Sequence, residues 1–421
     1  MSVSTDTVET PSTPAPRRTR RITLPLVLLG VAGLLLVLAL LRVVTGAGDV
    51  ASSGTISATI AAAIPIGLAG LGGLWAERAG IVNIGLEGMM ILGTFGAGYF
   101  GYFYDPWQGI VGAIACGAVG GLIHALATVT FGVNHIVSGV AINIIAVGAV
   151  AYLAALSFDG VPGGGPSKSP RVPDLPAITI DALADPLGDL ASRDIFFVSE
   201  LAAFLQAFVN GMSVLTLICL SLFVLTYYVL WRTAFGLRLR SCGESPVAAE
   251  SLGVNVYLYK FIAVIVSGGL AGLGGGFLVL VSSNVYNEGQ TGGRGYIGLA
   301  SMIFGNWRPG GLLTGSLLFG YSDTVRLRSG GESVHALLLL VSVLLIALAI
   351  WQWRRAERGL AIASFLIGVG AGIWYRTTDT VPGDLTGMTP YVVTLLVLAM
   401  ASQRLRMPAA DGLPYRRGSA G

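Results

Sequence analysis

Long apolar runs alternate with short polar connections along almost the whole chain. Most runs approach the roughly 20 residues that an α-helix needs to cross a bilayer, and the pattern is helical rather than that of a barrel. They predict transmembrane helices at residues 22–44, 56–74, 84–104, 107–130, 134–156, 208–231, 260–281, 335–352, 359–376 and 389–402. The pattern therefore indicates an all-α polytopic membrane protein with about ten transmembrane helices.

Residues 296–325 form a further apolar region, which the sequence GNWRPGG interrupts. Each half is too short to span a bilayer easily, so the region predicts two half-helices in a re-entrant hairpin. A hairpin that returns to its starting side places the arginines of residues 353–358 and 403–406 on the cytoplasmic side, where arginine is enriched. Irregular backbone at that depth is tolerated only when it is buried in protein or lines a watery cavity.

Arginine and lysine set the predicted orientation, because cytoplasmic loops are enriched in both. Four arginines within residues 17–21 place the N-terminus in the cytoplasm. Alternation then makes residues 159–207 an extracytoplasmic loop, and its residues 159–200 hold seven acidic and three basic side chains, which suits that side. The loop 232–259, with its arginines, falls on the cytoplasmic side.

The first apolar run is too long for the hydrophobic region of a signal peptide, and no clear cleavage site follows it. We therefore interpret it as a retained helix. The preceding residues 1–21 begin with a stretch rich in Ser, Thr and Pro, which predicts a disordered cytoplasmic tail. Residues 22–421 then form one transmembrane domain.

Composition excludes a soluble protein. The 421 residues are 54% hydrophobic and only 11% charged, with a mean hydropathy of +0.76, whereas about a quarter of a soluble domain is charged. The two lysines do not fit a phosphate-binding loop, and the three histidines and three cysteines show no metal-ligand spacing. We expect no covalent catalysis, no metal and no nucleic-acid partner.

Polar residues inside the predicted spans are candidate functional residues, because such side chains are costly in a membrane and tend to face a bundle interior or water. Asn83 and Glu87 lie four residues apart and would share one helical face. Together with Asn143 they are candidates for a translocation pathway or gate. The alternative is a structural clamp for irregular backbone, which the nearby glycines favour.

A polar island interrupts the apolar pattern at residues 235–254, with the sequence FGLRLRSCGESPVAAESLGV. Ser245 can cap a helix, Pro246 suits its first position and Gly253 suits its end. The helix between them would have about two turns. Its small side chains suit docking into a groove on another protein, and a connector along the membrane surface is an equal alternative. The candidate coupling residues are Gly243, Glu244, Ser245, Pro246, Ala248, Ala249, Leu252 and Gly253.

The island resembles the cytoplasmic loop of ABC importer permeases. Three further stretches in the same order resemble the subgroup that serves simple sugars and nucleosides, together with the final PYVVTLLVLA. They are ERAGIVNIGLEGMMILGTFGA, FGVNHIVSGVAINIIA and RGYIGLASMIFGNWRPGGLLTGSLLFGY. The residues ERAGIVNIGLEG most resemble the nucleoside branch of that subgroup. The resemblance covers most of the chain from about residue 55 onward.

The resemblance implies a permease subunit of an ATP-driven importer for nucleosides in the cytoplasmic membrane of a bacterium. A short coupling helix, Gly243 to Gly253, would dock on a separate ATP-binding subunit, which would also bind the ATP and Mg²⁺. A sister permease, in a homodimer or heterodimer, and an extracytoplasmic substrate-binding lipoprotein would complete the assembly.

Two departures from the family pattern and several alternatives accompany this interpretation. The N-terminal extension is long and polar, and residues 331–388 are predicted to insert an extra helical hairpin. Ribose-like sugars and branched-chain amino acids are alternative substrates. An ion-coupled secondary transporter would show inverted repeats, which we do not find, and a membrane scaffold would leave the intramembrane polar residues unexplained.

Overall fold

The computed structural model of the protein describes residues 24–328, 330–389, 392, 405–416 and 418. The predicted tail, residues 1–21, and nearly all of the predicted last span, residues 389–402, lie outside the described residues. Both therefore stay predictions.

α-Helices account for almost all regular structure in the described ranges. In chain order they are α1 (Leu24–Thr45), α2 (Ser53–Arg78), α3 (Leu86–Phe103), α4 (Pro106–Ala125), α5 (His135–Phe158), α6 (Asp181–Ala191), α7 (Val198–Val209), α8 (Val214–Arg232), α9 (Ala234–Glu244), α10 (Pro246–Ser251), α11 (Val256–Phe277), α12 (Arg294–Phe304), α13 (Pro309–Arg328), α14 (Gly330–Arg354), α15 (Arg358–Thr377) and α16 (Gly383–Thr386). A short 3₁₀ turn (Gly48–Ala51) follows α1, and π-helical segments extend α4 (Leu126–Thr130) and α11 (Leu278–Ser283). The strands β1 (Ala177–Ile178) and β2 (Met212–Ser213) pair in antiparallel fashion.

Seven helices in the described part of the chain are long and apolar enough to cross a membrane: α2, α4, α5, α8, α11, α14 and α15. Neither α3 nor α13 is among them. Glu87 lies in the first turn of α3, and α13 carries Asp323 and two arginines. The all-α polytopic architecture is confirmed, whereas the count of ten spans stays a prediction.

Glycines bring the central helices into backbone contact. α11 packs against α2, α3 and α4. A Cβ on Gly117 of α4 would collide with the carbonyl oxygen of Gly268 in α11, and one on Gly93 of α3 with that of Gly272. Such close approach is how membrane helices gain packing energy, since lipid gives them no hydrophobic drive to associate.

The break in the predicted hairpin lies at residues 305–308, between α12 and α13. α12 has 11 residues and is about 16 Å long, which is half a bilayer. α13 has 20 residues, more than the short half-helix of the prediction, but it is not among the helices that are long and apolar enough to cross a membrane. The re-entrant hairpin therefore stays a prediction.

Contacts define two opposite faces of the molecule within the described residues. One face, called the α10 face, holds α9, α10, the end of α2 and the turn at 305–308, where Arg78 donates to the carbonyl oxygen of Trp307 at 2.7 Å. The opposite face holds residues 159–213, and Arg42 at the end of α1 pairs there with Glu200 at 2.6 Å. Which face meets the cytoplasm stays a prediction from the arginine distribution.

Two loop assignments change in detail. The predicted extracytoplasmic loop, residues 159–207, contains α6 and most of α7. The predicted span 208–231 begins later, at Val214, because Gly211 takes a φ of +67° and the chain then forms β2.

The predicted hairpin within 331–388 consists of α14 and α15, which pack on each other. Only 11% of the apolar window of α15 is buried, so this helix lies at the periphery.

Candidate functional site

Glu87 fastens α3 to the beginning of α12. Its Oε1 accepts a hydrogen bond from the backbone N–H of Gly293 at 2.9 Å, and its Oε2 accepts one from that of Gly295 at 2.7 Å. The first N–H groups of a helix lack partners within the helix, and the helix dipole favours a negative charge beside them. The carboxylate is 7% exposed, so it serves as the buried cap of a half-helix.

Asn143 of α5 joins the same two helices. Its Oδ1 accepts from the N–H of Gly88 at 2.7 Å, and its Nδ2 donates to the carbonyl oxygen of Ile84 at 3.0 Å and to the hydroxyl of Tyr296 at 2.9 Å. Tyr296 belongs to the first turn of α12. The amide therefore connects α3, α5 and α12 at one point.

Asn83 lies in irregular backbone between α2 and α3, so the prediction that it shares a helical face with Glu87 is wrong. Gly80, with a φ of +82°, ends α2, and the N–H of Ile81 returns to the carbonyl oxygen of Ala76 at 3.0 Å. The Asn83 amide then accepts from the N–H of Gly85 at 3.0 Å and donates to Ser267 of α11 at 2.9 Å.

Two histidines hold this irregular segment, although nothing in their sequence spacing indicates it. His124 Nε2 lies 3.1 Å from the carbonyl oxygen of Val82, and His135 Nδ1 accepts the Val82 N–H at 3.3 Å. Both oxygens of Glu87 and both polar atoms of the Asn143 amide have backbone or hydroxyl partners. We call this set of contacts between residues 81–88, α4, α5, α11 and α12 the polar junction, and it holds the irregular backbone as a structural clamp would.

The polar island folds against the end of α8. Thr233 caps α9 by accepting the N–H of Gly236 at 3.1 Å. A Cβ on Gly236 would collide with backbone oxygens of α8, and one on Gly243 with the carbonyl oxygen of Arg78. Both glycines let α9 pack directly on neighbouring backbone. The island is thus attached to the membrane bundle rather than hanging free of it.

α10 turns one side to the molecule and the other outward. Ala249 is 2% exposed and packs with Cys242 and Val256. Leu252 is 84% exposed and Val247 46%. Val247, Ala248 and Leu252 make this exposed side mainly apolar, with the polar Ser251 beside them, and an exposed apolar patch is a candidate interaction surface.

Both ends of α10 lie where the sequence predicted them, with Pro246 as its first residue, but the predicted cap does not form. Gly253 has a φ of +81°, and its N–H donates to the backbone carbonyl oxygen of Glu250 at 2.8 Å. Both features are usual for a glycine that follows a helix. Ser245 makes no capping hydrogen bond with its side chain, so that prediction is wrong. The reason is that Ser245 also ends α9, where its N–H donates to Ser241 at 2.9 Å.

The structure sorts the eight candidate coupling residues by direction. Facing outward are Glu244, Ser245, Ala248, Leu252 and Gly253, whereas Gly243 and Ala249 are buried and Pro246 is half-buried. The sequence interpretation treated them as one docking surface. Only the outward group is available to a partner.

Sequence reasoning missed a segment that lies on this face. Residues 405–416, called here the C-terminal strap, pack beside α9 and α10. The Ala410 N–H donates to the Gly243 carbonyl oxygen at 2.8 Å, and the hydroxyl of Tyr415 donates to the carboxylate of Glu250. The only local signal is the cluster of Pro, Gly and Tyr that follows the last apolar run.

Within the described residues, no group of three or more His, Cys, Asp or Glu side chains could hold a metal ion. Burial raises the pKa of the Cys242 thiol to about 11, so this cysteine on the α10 face stays protonated and is not an active nucleophile.

Comparison with known proteins agrees with this architecture. Residues 55–350 match the family model of the branched-chain amino acid transport system permease component. The guanosine ABC transporter permease protein NupQ of Bacillus subtilis is 31% identical, over 86% of this chain and 96% of its own length. The nucleoside ABC transporter permease protein NupC of Lactococcus lactis is 31% identical, over 83% and 93%.

A second Lactococcus lactis protein, the nucleoside ABC transporter permease protein NupB, is 22% identical over 65% of this chain and 72% of its own length. No solved structure gives a significant match. The family match covers α2 to α13 and most of α14, which includes the polar junction and the island. The chain therefore belongs to this family of ABC transporter permease subunits, which are multi-pass proteins of the cytoplasmic membrane and not themselves enzymes.

Proposed function

We propose that the chain is the translocating permease subunit of an ATP-driven importer for nucleosides. The observation that carries the proposal is the outward side of α10, where exposed side chains are mainly short and apolar. This side belongs to an island that is anchored to the membrane bundle. The names of NupQ and NupC, each of which aligns with more than four fifths of this chain, support nucleosides as the substrate class.

Coupling begins at the α10 face in this proposal. A separate ATP-binding subunit, which binds the ATP and Mg²⁺, covers Ala248, Leu252 and Gly253. Its ATP-driven movement displaces α10, and the bundle changes between two states that the nucleotide biases. With α10 facing the cytoplasm, the N-terminus is cytoplasmic as well, and the substrate-binding protein meets the opposite face around residues 159–213.

The polar junction is the proposed gate. Glu87, Asn83 and Asn143 fix the start of a half-helix at membrane depth, where backbone without water needs internal partners. Their polar atoms are engaged with protein, so they hold the gate rather than contact the substrate. Tyr296, which is 47% exposed and touches Asn143, offers an aromatic face on which a nucleobase could stack.

A second permease completes the pathway in this proposal. The apolar side of α5 is open in the single chain, with Ile144 70% and Ile145 64% exposed, and it faces either lipid or a sister subunit. Two different Lactococcus lactis permease proteins with nucleoside names resemble this chain. A heterodimer fits that observation better than a homodimer.

The test is uptake of labelled guanosine, adenosine and uridine by cells with and without the chain, in a host that lacks other nucleoside carriers. Unlabelled ribose and leucine serve as competitors. The proposal expects uptake to be lost on deletion and unaffected by a hundredfold excess of either competitor. Uptake that persists without the chain overturns the nucleoside assignment, and competition by ribose or leucine redirects it to that substrate class.

A further inference from the structure

The C-terminal strap touches every part of the α10 face that the proposed mechanism moves. At its start, the Arg406 N–H donates to the Asn306 side chain at 2.8 Å, in the turn between α12 and α13. In its middle, Ala409 and Ala410 bind the end of α9 through Glu244 and Gly243. At its end, the Tyr415 hydroxyl donates to Glu250 of α10.

Burial and charge anchor the middle of the strap. Pro408 and Ala410 are buried, and the carboxyl group of Asp411 lies beside that of Glu77 at the end of α2. Lys260 of α11 lies beside the same pair, and its Nζ is 5.7 Å from the ring centre of Tyr415. A cation over an aromatic face is stabilising, and more so when both groups are withdrawn from water.

The strap leaves the outward side of α10 uncovered. Tyr415 packs with Ala249 and Val256 on the inner side of the helix, whereas Leu252 on the outer side is 84% exposed. A partner can therefore cover α10 without displacing the strap. The contacts pass from α10 through residues 406–415 to the turn at Asn306, which joins α12 to α13, and Glu87 holds the other end of α12.

We infer that the C-terminal strap is a mechanical link that transmits displacement of the coupling helix α10 to the α12–α13 hairpin, with Tyr415 and Asn306 as its two positioning residues. This inference rests on the proposed function. It assigns a transport role to a segment that lies outside the matched family region, residues 55–350.

Two substitutions remove the ends of the link with little change of shape. Tyr415→Phe deletes only the hydroxyl that reaches Glu250. Asn306→Gly deletes the side chain that accepts from Arg406 and suits the φ of +54° at this position. Asn306→Asp keeps the acceptor oxygen and also tolerates a positive φ, so it should restore the link. Tyr228→Phe, at a tyrosine of α8 that is 59% exposed, is the matched control.

The measurement is the ratio of nucleoside transported to ATP hydrolysed by the assembled complex of this chain and its ATP-binding partner. Tyr415→Phe and Asn306→Gly should keep ATP hydrolysis and lower the ratio by at least fivefold, the lower end of typical coupling between sites. Asn306→Asp and Tyr228→Phe should keep the original ratio. Loss of transport and hydrolysis in equal proportion, or no change in either, overturns the link.

Failure of the proposed function looks different. An original chain that hydrolyses no ATP with its partner, or moves no nucleoside, fails before any variant is compared. The ratio is taken per ATP hydrolysed, so a variant that accumulates less in the membrane can still be compared with the original chain. Because the two ends act in series, the double variant Tyr415→Phe with Asn306→Gly should have the same ratio as either single variant. A double variant whose loss is the product of the two single losses shows two independent contacts and overturns the link.

Discussion

Single polar side chains at membrane depth hold this protein's irregular backbone. The Glu87 carboxylate satisfies two N–H groups at the beginning of α12, and the Asn143 amide satisfies one N–H group and one carbonyl oxygen around α3. Unsatisfied backbone groups at such a depth would cost several kcal/mol each. These residues therefore allow a half-helix to exist where the proposed gate lies.

Glu87→Gln is the most specific test of the gate. The amide keeps one acceptor oxygen, but its NH₂ group faces a backbone N–H of α12, and leaving that donor unpaired costs about 1–3 kcal/mol. We expect nucleoside uptake to fall by at least tenfold while the chain still inserts. Uptake kinetics are compared at equal membrane abundance, and unchanged kinetics would show that the cap of α12 does not act on the gate.

Asp411 makes docking of the strap depend on pH. Burial raises its pKa to about 7, although the hydrogen bond to Glu77 and the charges of Lys260 and Arg78 offset part of that rise. When the strap is released into water, the Asp411 carboxyl would have the ordinary aspartate pKa of about 3.9. The docked state therefore holds the proton more tightly, and docking is strongest at low pH and weakens as pH rises from about 4 through about 7.

Trypsin cleavage after Arg406 in membranes measures this release. We expect cleavage to be faster at pH 8 than at pH 6, after correction for the activity of trypsin on an unstructured peptide. Asp411→Asn cannot ionise and should remove the difference. Equal pH dependence in the original chain and in Asp411→Asn would mean that another group controls the strap.

At the scale of elements, the sequence predicted helix ends that depend on the backbone preferences of single residues. Pro246 and Gly253 place the short helix α10 within a residue or two of its observed bounds, because both act through their own backbone angles. The end of α2 was missed, since Gly80 turns there in contact with Gly243 and Ala410, which are far away in sequence. The strap was missed for the same reason.

The two faces of α10 give a matched pair of substitutions. Ala248→Trp places a large ring on the outward side, where it blocks a partner without disturbing the bundle. We expect normal membrane abundance and loss of copurification with the ATP-binding subunit. Ala249→Trp instead fills a packed position, which costs about 1–3 kcal/mol and should lower abundance.

Val224→Trp, on a side chain of α8 that is 70% exposed, controls for an added tryptophan. It should change neither abundance nor copurification. If Ala248→Trp leaves the partner bound, α10 is not the docking surface, and the connector interpretation of the island replaces it.

At the scale of the whole molecule, the pattern of apolar runs predicted the all-α membrane architecture and the position of the break at residues 305–308. The pattern underestimated the length of α13, because three charged residues in its last two turns interrupt the apolar run. It could not supply the polar junction either. Glu87, Asn143 and His124 lie on three different helices, and only packing brings their partners within reach.

The central claim is that ATP hydrolysed by a partner drives nucleosides through this chain. The most direct test is accumulation of labelled guanosine in proteoliposomes that contain the complete complex, with the substrate-binding protein on the outside and ATP enclosed. The account predicts ATP-dependent accumulation that ionophores do not reduce and that Ala248→Trp abolishes. Accumulation without ATP that collapses with the ion gradients would contradict it and indicate a secondary transporter.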